Sequence, residues 1–139
     1  MKYGSLIIEK KEYVLLKRIL NISSYAKDFD TQRAIKCLSD NLKNAQILDE
    51  EDVPKDVIRF NSNILVEFNE NLKKHLHLVI PASKNIKEDK ISVITPLGAL
   101  LFGCAEGDVL HEKLGSGIQH LQIKKVIQDN MQGKKDLVI

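Results

Sequence analysis

Tryptophan is absent from the 139 residues, cysteine occurs twice, proline three times, and aromatic residues make up 5% of the chain. Each scarcity removes a class of protein. Cys37 and Cys104 stand far apart with no neighbouring cysteine, so no disulfide framework is encoded and a reducing compartment suits the chain. The four histidines include one close pair, His75 and His77, whose spacing could chelate a metal, but no third ligand is in view and no metal site is expected. No run of roughly 20 apolar residues is present, which argues against a transmembrane helix, and no charged-then-apolar leader is seen. The expectation is a cytoplasmic protein without a membrane partner.

Charge of one sign is lacking as well. The chain carries 21 basic and 19 acidic side chains, a formal +2, divided as 11 against 11 through residue 69 and 10 against 8 beyond it. A dedicated nucleic-acid binder neutralises several phosphates and shows a basic asymmetry. The few aromatics are not interleaved with basic residues as a stacking platform requires. No independent nucleic-acid binding is expected.

What is present is 43% hydrophobic residues, enough for a core without staples, arranged in two periods. Within residues 9–21, Tyr13, Leu16 and Leu20 recur at helical spacing. Asp30 is placed to cap a second helix from Thr31 to about residue 47, along which Ala34, Ile35, Leu38, Leu42 and Ala45 form one stripe. With a loop from Ile22 to Phe29, the two helices make an antiparallel hairpin whose first arm is about 20 Å long. The acidic run Asp49 to Asp52, followed by Val53-Pro54, reads as a hydrated linker or a contact for a basic partner, and marks a boundary. The expected organisation is a helical hairpin at 1–50 and a second unit at 51–139.

Beyond the boundary the period becomes two. Val57 to Phe60 and Ile64 to Phe68 flank the Asn61-Ser62-Asn63 turn, and Leu72 to Ile80 alternates until Pro81 stops it. Ile91 to Ile94 predicts a strand, and Pro96 to Phe102 a short helix with Gly103 beyond its end. Val109 to Lys113 and Gln119 to Ile127 predict strands joined across Gly115-Ser116-Gly117, and Gln128 to Ile139 reads as a loosely specified tail. The class is α+β, an antiparallel β domain with one short helix.

The stretch VITPLGALLFGCAEGDVL, residues 93–110, lacks the spacing of a dinucleotide loop, a P-loop or a nucleophile elbow. Its order is strand, Thr-Pro, a small and leucine-rich helix closed by glycine, then a Glu-Gly-Asp turn into a strand. Through Val93, Thr95, Pro96, Leu97, Gly98, Ala99, Leu101, Gly103, Gly107, Asp108 and Val109 it resembles the signature of the C-terminal domain of bacterial Gre transcript-cleavage factors and the related regulators of nucleoside diphosphate kinase. The resemblance continues upstream through Val57, Asn61, Ser62, Val66, Leu78, Val79 and Pro81 and spans roughly residues 50–128.

The resemblance implies an FKBP-like fold for that domain, docked on core RNA polymerase at the rim of its secondary channel. It also implies that the N-terminal helices form a finger, which in cleavage factors is long and carries tip carboxylates that help hold a magnesium ion. The regulator-type relatives have a stunted finger. Leu97, Leu100, Leu101 and Phe102 cannot all face inward from barely two helical turns, so with Thr95, Pro96, Gly107 and Asp108 they are the polymerase-docking candidates. Asp28 and Asp30 are the finger-tip candidates, with capping and solvation as the plainer roles. No catalytic residue, cofactor or isomerase pocket is expected, since the aromatic walls of such a pocket are missing. The expected function is a polymerase-binding regulator in competition with longer-fingered factors. Transcript-cleavage stimulation and a stand-alone interaction domain are the alternatives.

Overall fold

The computed structural model describes residues 2–114 and 117–128. The expected hairpin turn at Gly115-Ser116 and the tail beyond Gln128 lie outside them. The order is β1 (Ile7–Glu9), α1 (Lys10–Ser23), α2 (Phe29–Leu42), β2 (Gln46–Leu48), β3 (Asn63–Phe68), β4 (Leu72–Val79), β5 (Lys90–Ser92), α3 (Pro96–Leu101), β6 (Val109–Leu114) and β7 (Gly117–Ile127). The fold is α+β, with N-terminal helices and a mixed sheet.

Helix α1 begins where Glu9 accepts hydrogen bonds from the Lys11 and Glu12 amides at 2.8 and 3.2 Å, a carboxylate at the positive end of the helix. Helix α2 is capped by Asp28, not by the expected Asp30. The Asp28 carboxylate accepts the Thr31 amide at 2.9 Å, and its backbone is extended while Phe29 is already helical. The helix also stops at Leu42 instead of reaching residue 47. Residues 46–48 leave helical geometry to pair in parallel with β1, Ile7 opposite Gln46. This two-stranded element carries no alternation that would announce it.

The main sheet has the order β5-β4-β3-β7-β6. It is antiparallel except at one edge, where β5 runs parallel to β4 with Ile91 opposite Leu78, so the antiparallel expectation is corrected there. The chain between them passes through two 3-10 turns, at Pro81–Ser83 and Ile86–Glu88, and that length permits the crossover. Residues 57–60 are likewise not a sheet strand. Their backbone bonds instead to the segment after α3, Ile58 N–H to the Cys104 carbonyl at 2.8 Å and Gly103 N–H to the Ile58 carbonyl at 3.1 Å. Gly103 adopts φ +86° there, a left-handed conformation that glycine accepts without penalty.

One face of the sheet is apolar. Ile64, Val66, Leu76, Leu78, Leu121, Ile123 and Val126 join a single core cluster with Leu15, Leu16 and Ile19 of α1, Ala34 and Leu38 of α2, and Ala99, Leu101 and Phe102 at α3. The Phe60 and Phe102 rings meet at 4.8 Å. A shift of register between Leu65 and Val66 leaves Lys124 without an opposite residue on β3. The bulge restores inward orientation to Val126 after Ile123. Gln128, expected in the tail, is anchored, donating to the Val57 carbonyl at 2.7 Å and accepting from the Ser62 hydroxyl at 2.8 Å.

Because hairpin and sheet share one cluster, Leu38→Ala should cost about 2–5 kcal/mol and should lower a single unfolding transition. Urea unfolding followed by far-UV circular dichroism checks this, a separate early melt of the helices being the contrary result.

Candidate functional site

Two regions hold the residues singled out by sequence, the α3 segment and the end of the helical hairpin. In the first, Thr95 caps α3, its hydroxyl accepting the Gly98 amide at 3.1 Å and donating to the Ser92 carbonyl at 2.8 Å. Pro96 follows in the first turn, where its missing N–H costs nothing. Gly98 is required by contact, since a β-carbon there would overlap the Ser92 carbonyl oxygen. The tight approach lets α3 lie close on the sheet end while α2 packs against it.

The docking candidates then separate by burial. Leu101 and Phe102 are core residues and present no side chain to a partner. Thr95, Pro96, Leu97 and Leu100 are half-buried, so Leu97 and Leu100 are the apolar side chains on α3 with surface to offer. Gly107 is exposed at φ +93°. Asp108 is buried and works as a fastener, one carboxylate oxygen accepting the Ala105 amide at 2.9 Å and the other the Lys2 amide at 2.8 Å. Cys104 is buried too. Burial pushes its thiol up to about 12, with Asp108 adding to the shift, which disfavours the thiolate form.

At the hairpin end, Asp28 and Asp30 are both exposed. The Thr31 hydroxyl and amide hold the Asp28 carboxyl below its usual range, so that carboxylate is committed to the helix start. The sequence reading missed the apolar side chains beside them. Tyr25 is 86% exposed and Phe29 73%, with Ile22 nearby in sequence and also exposed, and the Arg33 guanidinium lies 5.6 Å from the Phe29 ring centre. The available signal was their position off the apolar stripe of either helix. His75 is exposed and His77 half-buried on β4; among the described residues, no three histidine, cysteine or acidic side chains are placed to hold a metal ion.

The hairpin is fixed to the segment that precedes β3 by a charged cluster that no local pattern announces. Arg59 is only 8% exposed. Its Nε donates to Glu12 at 3.3 Å, both terminal nitrogens donate to Glu50, one of them at 3.0 Å, and Glu9 lies 3.6 Å away. The acidic run is therefore not a free linker. It forms a 3-10 turn at Glu50–Asp52, with Glu50 on Arg59 and Asp49 on Lys10 at 2.9 Å. Burial opposes the Arg59 charge, but Glu50 and Glu12 outweigh it and hold that charge more firmly than usual. Burial pushes Glu12 up to about 7; Arg59 pulls the other way, and Glu9 and Glu50 add to the rise.

The residues that shape this α3 segment lie inside a family match. The model for "Transcription elongation factor, GreA/GreB, C-term" matches residues 53–128, and the chain belongs to that family. Among curated proteins, the transcription elongation factor GreA of Clostridium botulinum is 35% identical over 92 residues, 64% of this chain and 56% of that protein. The regulator of nucleoside diphosphate kinase of Escherichia coli is 32% identical over 88 residues, 62% of this chain and 65% of that one. The matches thus span about half to two thirds of these relatives. In solved structures, a GreA/GreB elongation factor from Nitrosomonas europaea superposes with a TM-score of 0.71 at 24% identity, covering 89% of this chain and 98% of its own. That likeness shows the fold.

Two outcomes follow from the geometry. Gly98→Ala should destabilise by about 1–3 kcal/mol, read from urea unfolding. Between about pH 4.5 and 7 the folded state keeps a proton on Glu12 that the unfolded chain has released. Stability should therefore fall as pH rises through that window, by about 1–3 kcal/mol. Glu12→Gln should flatten the dependence, and thermal unfolding at pH 5 and 7.5 measures it.

Proposed function

We propose that the chain is a transcription regulator that binds core RNA polymerase at the rim of the secondary channel and performs no chemistry of its own. One observation carries the reading. Helix α1 has 14 residues, about 20 Å, and its apolar face is spent in the core cluster with the sheet. A cleavage factor must carry carboxylates far from its docking domain to a deeply placed magnesium ion, which takes hard oxygen ligands. Here the reach is short, and Asp28, one of the two tip carboxylates, caps α2.

In this reading residues 51–139, an FKBP-like arrangement of the sheet about α3, supply the docking unit. Thr95 and Pro96 set the start of α3, Leu97 and Leu100 face the partner, and Gly107 and Asp108 shape the adjoining turn. Residues 1–50 act as the stunted finger at the channel mouth, where they exclude longer-fingered factors. The names of the matched relatives, elongation factor and regulator, support the class of role, and the signature in residues 93–109 supports the partner.

Equilibrium titration of the protein against core polymerase, with a cleavage factor as competitor, is the test. Mutually exclusive binding is expected, weakened about tenfold or more by Leu100→Glu, with no RNA release in stalled complexes. No binding at micromolar protein overturns the proposal in favour of a stand-alone interaction domain. RNA release abolished by Asp28→Asn or Asp30→Asn establishes cleavage stimulation instead.

A further inference from the structure

The outer face of the sheet, opposite the core, carries a feature that the polymerase reading does not use. His111 on β6 and His120 on β7 are directly opposite each other in the antiparallel register. Their ring centres are 4.5 Å apart, with the rings inclined at 73°. His111 is exposed and His120 half-buried. Asn69, at the end of β3, holds the His120 backbone from the other side, its amide donating to the His120 carbonyl at 2.7 Å and its side chain accepting the His120 amide at 2.9 Å. One imidazole thus sits on a pinned strand position and the other reaches it from the edge strand.

We propose that His111 and His120 form a two-imidazole chelate for a late divalent transition ion, Ni²⁺ or Cu²⁺. The argument is geometric. A metal about 2.0–2.1 Å from an imidazole nitrogen stands about 3.2 Å from that ring's centre. Ligands about 90° apart then place two ring centres about 4.5 Å from each other, whereas tetrahedral ligands place them about 5.2 Å apart. The separation in the structure matches the first arrangement, that of adjacent positions in a tetragonal or octahedral shell. The ring centre of a histidine lies close to its Cβ–Cγ axis. A turn about that soft torsion re-aims the nitrogens and leaves the separation unchanged. Imidazole is a suitable donor for both ions, and Cu²⁺ binds such donors more tightly than Ni²⁺ or Zn²⁺. With two protein ligands the remaining positions are open to water or to a donor from a bound partner.

Isothermal titration of the full-length, tag-free protein with NiCl₂ and with CuSO₄ tests the assignment. One ion per chain is expected, with affinity lowered about tenfold or more in each of His111→Ala and His120→Ala, because a second ligand on the same chain acts at high effective concentration. His75→Ala, which removes an exposed imidazole elsewhere on the sheet, should leave the isotherm unchanged. Circular dichroism confirms that the variants fold, and His120→Gln serves if His120→Ala does not. Binding insensitive to His111, or lost with His75 instead, overturns the proposal, as does the absence of binding at 100-fold molar excess of metal. These outcomes are independent of whether the protein binds polymerase.

Discussion

Arg59 is the point through which the molecule is tied together. A guanidinium taken out of water is tolerable only among partners that return its hydrogen bonds, and here the partners come from three separate places: the end of β1, the first turn of α1 and the 3-10 turn after β2. Glu9 serves twice, since it also caps α1. The direction in which α1 leaves the sheet and the placement of the acidic turn are thereby settled by one residue. Such a cluster contributes orientation more than net stability, because its desolvation cost is of the same order as its attraction. It also redistributes charge. With Glu9 and Glu12 hidden against Arg59, the exposed face of α1 shows Lys11, Lys17 and Arg18, a basic aspect concealed by the near-even totals of the whole chain.

The family signature gains a physical meaning from this arrangement. Thr95, Gly98, Gly103 and Asp108 lie inside the matched span, where they make a short helix start, sit against Ser92, stop, and turn into β6. Their work is to build backbone. Leu97 and Leu100 occupy the face that this backbone presents, while Leu101 and Phe102 anchor it from beneath. Resemblance in the signature therefore reports a shared backbone platform.

Where the sequence was legible, a single local rule decided the outcome. The stripe of Ala34, Leu38 and Leu42, the proline start and glycine stop of α3, the Asn61 turn with its φ of +71°, and the alternation of Leu76 and Leu78 all follow from neighbours a few residues away. Asp28 and Asp30 are chemically equal caps, and only the three-residue reach to the Thr31 amide separates them. The parallel pair β1-β2, the β5 crossover and the bulge at Lys124 are set by distant partners, so no local period reveals them. Burial of Arg59 was invisible for the same reason: a charged residue does not announce its counter-ions when they lie far along the chain. Tyr25 and Phe29 escaped notice because apolar side chains are read as core by default, and these two are on the outside.

The position of β7 within the sheet bears on how the chain reaches this state. It is the last described strand in sequence yet lies between β3 and β6, and its end is buttoned to residues 55–62 through Gln128. During synthesis, α1, α2 and the β3-β4 pair emerge with their apolar faces uncovered, and the place between β3 and β6 stays vacant until β7 leaves the ribosome. Long-range closure of this kind slows folding, so the nascent chain has to remain unassociated for most of its elongation. Charged residues at the early surface, Lys10, Lys11, Lys17 and Arg18 among them, are suited to that interval through mutual repulsion between unfinished copies.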